Sequence, residues 1–172
     1  MESCETAGSL HRLDEHRDIG VSAFVMLSWA LWHGGYPDQS ARAAYRALAY
    51  SRELGHAHNL ASALYIAGMA AVFARDVATA CAYGNDCVAV ATEHGFALAP
   101  RGRILQGWAD AQKGEATKGI ARIRDGLAAN EATGDRVTTP WYLTLLAEAL
   151  ALAGKIEEAL AALDGASARV EA

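Results

Sequence analysis

His56 and His58 flank Ala57 beside Gly55, and two imidazoles at that spacing are the first place to look for metal chemistry. No carboxylate or cysteine nearby completes a ligand set, and an exposed turn favours histidine in any case. Cys4, Cys81 and Cys87 form an odd set without metal-ligand spacing. Cys81 and Cys87 are six positions apart, hence well separated around one helix, and read as small apolar residues in a reducing compartment. Asp14, Glu15, His16, Arg17 and Asp18 include acid and base types. Acid–base catalysis needs a pocket that shifts a pKa, whereas a run of charges is normally solvated. Glu157 and Glu158 fall where a helix N-terminus stabilises negative charge, and His33 falls where a helix C-terminus favours a cation. The chain contains neither a GxSxG turn nor a GxxxxGK[ST] phosphate loop. These residues predict no enzyme, no cofactor and no metal.

The aromatic residues point elsewhere. Trp29, Trp32, Tyr65, Trp108 and Trp141 fall on helices that the pattern below makes equivalent, and Met69 and Trp108 share the repeat position of Trp29. Large apolar side chains with a polar handle suit binding surfaces, and they equally suit packing between repeats. Arg103, Gln106 and Asp110 form a polar stripe at positions that are apolar in the other repeats: Phe24, Leu27 and Leu31, for example. The stripe either faces water or forms a hydrogen-bonding patch through Arg103. The candidate groove for a protein partner or a small ligand is therefore Trp29, Trp32, Tyr65, Met69, Arg103, Gln106, Trp108 and Trp141, with Trp29, Trp32 and Trp108 partly open to a concave surface.

The elements that would position these residues recur. Gly35, Arg75, Gly114 and Gly154 each follow an apolar run, at steps of 40, 39 and 40 residues. Gly55, Gly95 and Gly134 repeat at 40 and 39. Each unit reads as helix, turn, helix and glycine stop. First helices are predicted at 20–33, 59–74, 100–113 and 140–153, and second helices at 38–54, 76–94, 116–132 and 156–170. Pro100 and Pro140 stand at helix starts, where proline is tolerated, with Thr139 as a cap.

Three columns are small in every repeat: Ser28, Gly68, Gly107, Ala147; Ser40, Ala80, Gly119, Ala159; and Ala47, Cys87, Gly126, Ala166. Helices cross closely only where side chains are short, so these columns mark the crossings. A bulky column of Met26, Ile66, Leu105 and Leu145 accompanies them. The pattern defines an all-α array of about four helix-turn-helix repeats of 39–40 residues. It spans residues 18–172, behind a polar segment at 1–17.

The small columns and their offsets resemble the tetratricopeptide repeat, at a period longer than its usual ~34 residues. Strings such as ALWHGGYPDQSARAAYRAL and LLAEALALAGKIEEALAAL are similar to the repeat region of bacterial signal-transduction ATPases. These include maltose-regulator-type activators and ATPase-linked class III adenylate or guanylate cyclases. The resemblance implies a right-handed superhelix that serves as a protein-interaction or regulatory module, with an ATPase or cyclase domain upstream in the same chain as an implied partner. A small-ligand sensor is the alternative that it leaves open.

The remaining features bound the class of partner. The net charge of −5 opposes general nucleic-acid binding. The base-rich stretch from Pro100 to Gly126 is the local exception. No apolar run of membrane-spanning length or signal-peptide form occurs, so a cytoplasmic location is expected. The last helix carries Ile156, Ala159, Leu160, Leu163 and Val170 with sparse polar cover. Its outer face should be apolar and uncapped. It would be covered by a second copy of the chain, by the N-terminal segment around Leu10 and Leu13, or by further repeats.

Overall fold

Short residues at regular intervals let helices touch backbone to backbone, and that contact organises the whole chain. The computed structural model describes residues 18–171, in eight helices with no strand among them. They are α1 (Ile19–His33), α2 (Pro37–Leu54), α3 (Ala57–Phe73), α4 (Val77–Glu93), α5 (Ala99–Gln112), α6 (Ala116–Glu131), α7 (Thr139–Leu152) and α8 (Ile156–Glu171). Every start and stop lies within two residues of its sequence expectation. The charge run at 14–17, Cys4, Leu10 and Leu13 lie outside the described residues.

All twelve members of the three small columns are buried. The tightest crossing pairs α5 with α6. A Cβ on Gly119 would stand 2.5 Å from the Gly107 carbonyl oxygen, and one on Gly107 would stand 2.8 Å from that of Gly119. In the first repeat the same crossing is Ser28 against Ser40, where the Ser40 hydroxyl donates to the Ser28 carbonyl at 2.7 Å. Cys87 fills its column as a buried thiol directed at the Ala61 carbonyl, 3.5 Å away. Burial pushes that thiol up to about 12.

All seven turns between helices carry one residue in the left-handed region. It is glycine at six of them and Arg75, at φ 60°, at the seventh. Two details of the helix starts differ from expectation. Pro100 and Pro140 occupy the second helical position, and Thr138 takes the cap position of α7 without a side-chain capping bond. The turn before α7 is organised instead by Asp135, whose carboxylate accepts from the Val137 amide at 3.1 Å and the Thr138 hydroxyl at 2.8 Å. Asp18 caps α1 by accepting from the Val21 amide at 3.0 Å, so this member of the charge run has a structural role.

Successive first helices touch one another (α1 with α3, α3 with α5, α5 with α7), while the backbones of second helices approach only first helices, and α6 and α8 meet through the side-chain pairs Arg124–Glu158 and Glu131–Arg169. The first helices therefore line the inner, concave side. Met26, on the first described helix, is the exposed member of the bulky column.

Gly119→Ala should lower the melting temperature clearly, because its methyl group meets backbone that cannot move aside; overpacking of this kind costs about 1–3 kcal/mol. Thermal unfolding followed by circular dichroism tests it, and an unchanged midpoint would show that the crossing is loose. Thiol labelling at pH 8 followed by peptide mapping should leave Cys87 unmodified in the native protein and modify it after unfolding. Only the thiolate reacts, and a thiol at about 12 holds almost none at that pH.

Candidate interaction surface on the concave face

Curvature brings side chains from α3 across α5 to α7, two helices that make no direct backbone approach. Three contacts bridge the gap. The Tyr65 and Tyr142 hydroxyls meet at 2.7 Å. Phe73 tilts against Trp141 with ring centroids 5.5 Å apart. Arg75, from the turn after α3, pairs with Glu148 of α7.

Glu148 is the hub beneath this bridge. One carboxylate oxygen accepts from the Trp108 indole N–H at 3.1 Å, and the other from Gln112 at 2.7 Å as well as from Arg75. The Arg75 guanidinium also lies over the Trp108 ring, 5.9 Å from its centroid. This explains why one turn keeps a side chain where the others use glycine. The left-handed conformation costs a non-glycine residue about 1–2 kcal/mol, and the cation gained anchors two repeats.

A second hub holds the neighbouring edge. Arg101 pairs with Asp135 at 2.9 Å and lies over the Tyr65 ring at 5.7 Å. Burial raises the Tyr65 and Tyr142 hydroxyls above their ordinary values, so both stay protonated in this cluster.

These contacts sort the candidate groove residues. Trp108 is fully buried at 0% exposure, against the expectation that part of its ring is open, because α7 supplies Glu148 over its indole N–H. Tyr65 and Met69 are buried as well, so all three are packing residues. Trp29, Trp32 and Trp141 are half-buried. Trp32 stacks on Phe73 at 4.5 Å and 11°, so Trp32, Phe73 and Trp141 form a row across three first helices. The Trp29 indole nitrogen is buried without a hydrogen-bond partner in the structure.

The polar stripe divides. Arg103 faces solvent, Gln106 donates to Asn85 of α4 at 2.8 Å, and Asp110 is held by Arg122 at 2.7 Å. The stripe's partners thus come from the array itself. The bases of the third repeat are similarly engaged: Arg101 with Asp135, Lys118 with Glu115, Arg122 with Asp110 and Arg124 with Glu158. No open basic track remains at these four, as a phosphate backbone would require. His58, one of the imidazole pair, packs edge-on to Phe96 at 5.1 Å.

Sequence reasoning missed Phe73, Arg75, Tyr142 and Glu148. Two signals were present: Arg75 is the non-glycine member of a turn column, and Glu148 is the acid in the column of Trp29, Met69 and Trp108.

The fold has known counterparts. The crystal structure of the apo form of RapI superimposes with a TM-score of 0.66 at 16% sequence identity, over 94% of this chain and 60% of that one. That likeness shows a shared all-helical repeat fold. An uncharacterized protein of Rhizobium meliloti is 29% identical over 155 residues, which make up 90% of this chain and 15% of that protein. The chain thus spans a small fraction of the curated relative it matches. No protein-family model matches the sequence.

Two stability series test the hub. Glu148→Ala should destabilise the array by about 1–3 kcal/mol, because it leaves the Trp108 N–H buried without an acceptor. Urea unfolding followed by tryptophan emission measures it. Arg75→Gly should be more stable than Arg75→Ala by about 1 kcal/mol, since both lose the pair with Glu148 and only glycine relieves the left-handed strain. Equal midpoints would remove the argument that this turn is strained.

Proposed function

We propose that this chain is a protein-binding repeat module, and that the partner docks on the concave face along the row Trp32, Phe73 and Trp141. The observation that carries the reading is that this row remains half-open while the rest of the concave centre is filled by the array's own side chains. Flat aromatic surface held rigidly costs little entropy when a partner covers it.

The charged groups of the concave face already have structural duties: Glu148 with Trp108, Gln112 and Arg75, and Asp135 with Arg101. This favours a module that binds over one that catalyses. An enclosed small-molecule site is the weaker alternative, because Tyr65, Met69, Trp108 and Tyr142 occupy the centre where such a ligand would sit. The resemblance to the repeat regions of signal-transduction ATPases supports a regulatory role inside a larger cytoplasmic protein. The match to a short part of a much longer relative is compatible with a module of a larger protein.

The test compares the native chain with a Trp32→Ala/Trp141→Ala variant as bait in the cells of origin, with quantitative mass spectrometry of the proteins retained. At least one protein should be retained by the native chain and reduced ten-fold or more by the variant, with the helical signal of the bait unchanged. Retention of the same proteins at the same level would refute docking on this row.

A further inference from the structure

We propose that the cleft between the third and fourth repeats binds a small hydroxy or amino acid, whose carboxylate is taken by the Arg136 guanidinium. The site uses none of the residues of the aromatic row and stands independently of it.

The cleft has a volume of about 550 Å³. It is lined by Glu131 at the end of α6, Asp135 and Arg136 in the following turn, Thr139 at the start of α7 and Arg169 near the end of α8. Ligand clefts typically measure about 300–1,000 Å³, so a small metabolite has room here. Both walls belong to a junction inside the array. The same positions at the preceding junction are Thr92, Phe96, Ala97, Ala99 and Ala129. A further repeat does follow that junction, and it does not seal the groove: Thr92 and Ala97 are exposed and Ala129 is half-buried. The groove therefore opens between successive second helices wherever they occur, and its openness does not come from an end of the chain.

Charge sets this junction apart. The preceding junction has no charged residue at the five positions, and the first junction has only Arg52 and His56 there. Packing of the repeats thus does not require the charges found here. Where the preceding junction places Phe96, a half-buried ring packed on the core, this one places the shorter Asp135 and leaves space. Asp135 is engaged by Arg101 at 2.9 Å, and Glu131 by Arg169 at 3.2 Å. Arg136 is exposed and, among the described residues, forms neither an ion pair nor a hydrogen bond. Its guanidinium is therefore the charge in the cleft that has no counterion.

One unpaired guanidinium calls for one singly charged anion. Its planar fork matches a carboxylate through two parallel hydrogen bonds. A phosphate group, with close to two charges, would be set against the carboxylates of Glu131 and Asp135. The body of the ligand meets acceptors. Thr139 is 2% exposed, and its hydroxyl donates to the Asp135 carbonyl at 3.3 Å, so its oxygen keeps lone pairs for an incoming donor. The Glu131 carboxylate adds a second acceptor, since its pair with Arg169 is solvent-exposed and weakly held. A hydroxyl or ammonium group near the carboxylate of the ligand satisfies both.

The test is titration of the isotope-labelled full chain with L-lactate, L-malate, L-serine and L-glutamate, and separately with inorganic phosphate, at constant ionic strength and followed by backbone amide chemical shifts. At least one of the four acids should give saturating shifts confined to the residues that line the cleft and their neighbours. Arg136→Gln should weaken that binding by about ten-fold or more, the scale of a lost hydrogen bond to a charged group. Its melting temperature should match that of the native chain, because Arg136 is exposed. Arg136→Lys keeps the charge and loses the fork, so its affinity should fall between the two. No saturation with any of the four acids would overturn the proposal, as would saturation mapped to another surface or unchanged affinity in Arg136→Gln. Saturation by phosphate and by none of the acids would overturn the assignment to a carboxylate.

Discussion

The close crossing of paired helices is the constraint from which the remaining geometry follows. At α5 and α6 the two backbones approach until a single methyl group would collide with a carbonyl oxygen, at Gly107 and Gly119. Such proximity allows short side chains only, so three columns of each repeat are confined to glycine, alanine, serine or cysteine. The repeats then differ in what they add around that contact. A hydroxyl pair supports it at Ser28 and Ser40, and a buried thiol supports it at Cys87. Helix spacing set in this way determines how far each repeat rotates from the last, and so whether side chains two repeats apart can meet.

They do meet. Tyr65 with Tyr142, Phe73 with Trp141 and Arg75 with Glu148 all span from the second repeat to the fourth. This replaces an open concave channel by a filled centre bordered by a half-open aromatic row. The filling rests on hydrogen bonds in low-dielectric surroundings, where an acceptor such as Glu148 matters most because Trp108 has no water to turn to. The all-helical repeat fold shared with RapI describes the scaffold, and these particular struts are what this sequence adds to it.

The scaffold was legible because its causes are local. Glycine in the left-handed region ends helices, proline starts them, and small columns mark crossings; each is visible in a single string and repeats at 39 or 40 residues. The concave site was only partly legible, because its causes are not local. Periodicity placed Trp29, Trp32, Trp108 and Trp141 on first helices but could not say which would be covered. That depended on curvature, which brought α7 over Trp108 and left Trp32 at the margin. Asp135 shows the same limit. It lies in a turn whose obvious features were Gly134 and Thr139, yet it holds the turn and Arg101 together.

The struts across α5 also give the molecule a mechanical character. A solenoid lengthens under tension by small changes of angle at every junction between repeats, like a coil spring. Ties that skip a repeat oppose those changes, so the portion from α3 to α7 behaves as a stiff block. The first repeat is joined to that block by its ordinary junction and by the stack of Trp32 on Phe73, which can slide without breaking a hydrogen bond. Elastic compliance is therefore concentrated at one joint near the start of the array, and bending there would open or close the face of Trp32 while the rest keeps its shape.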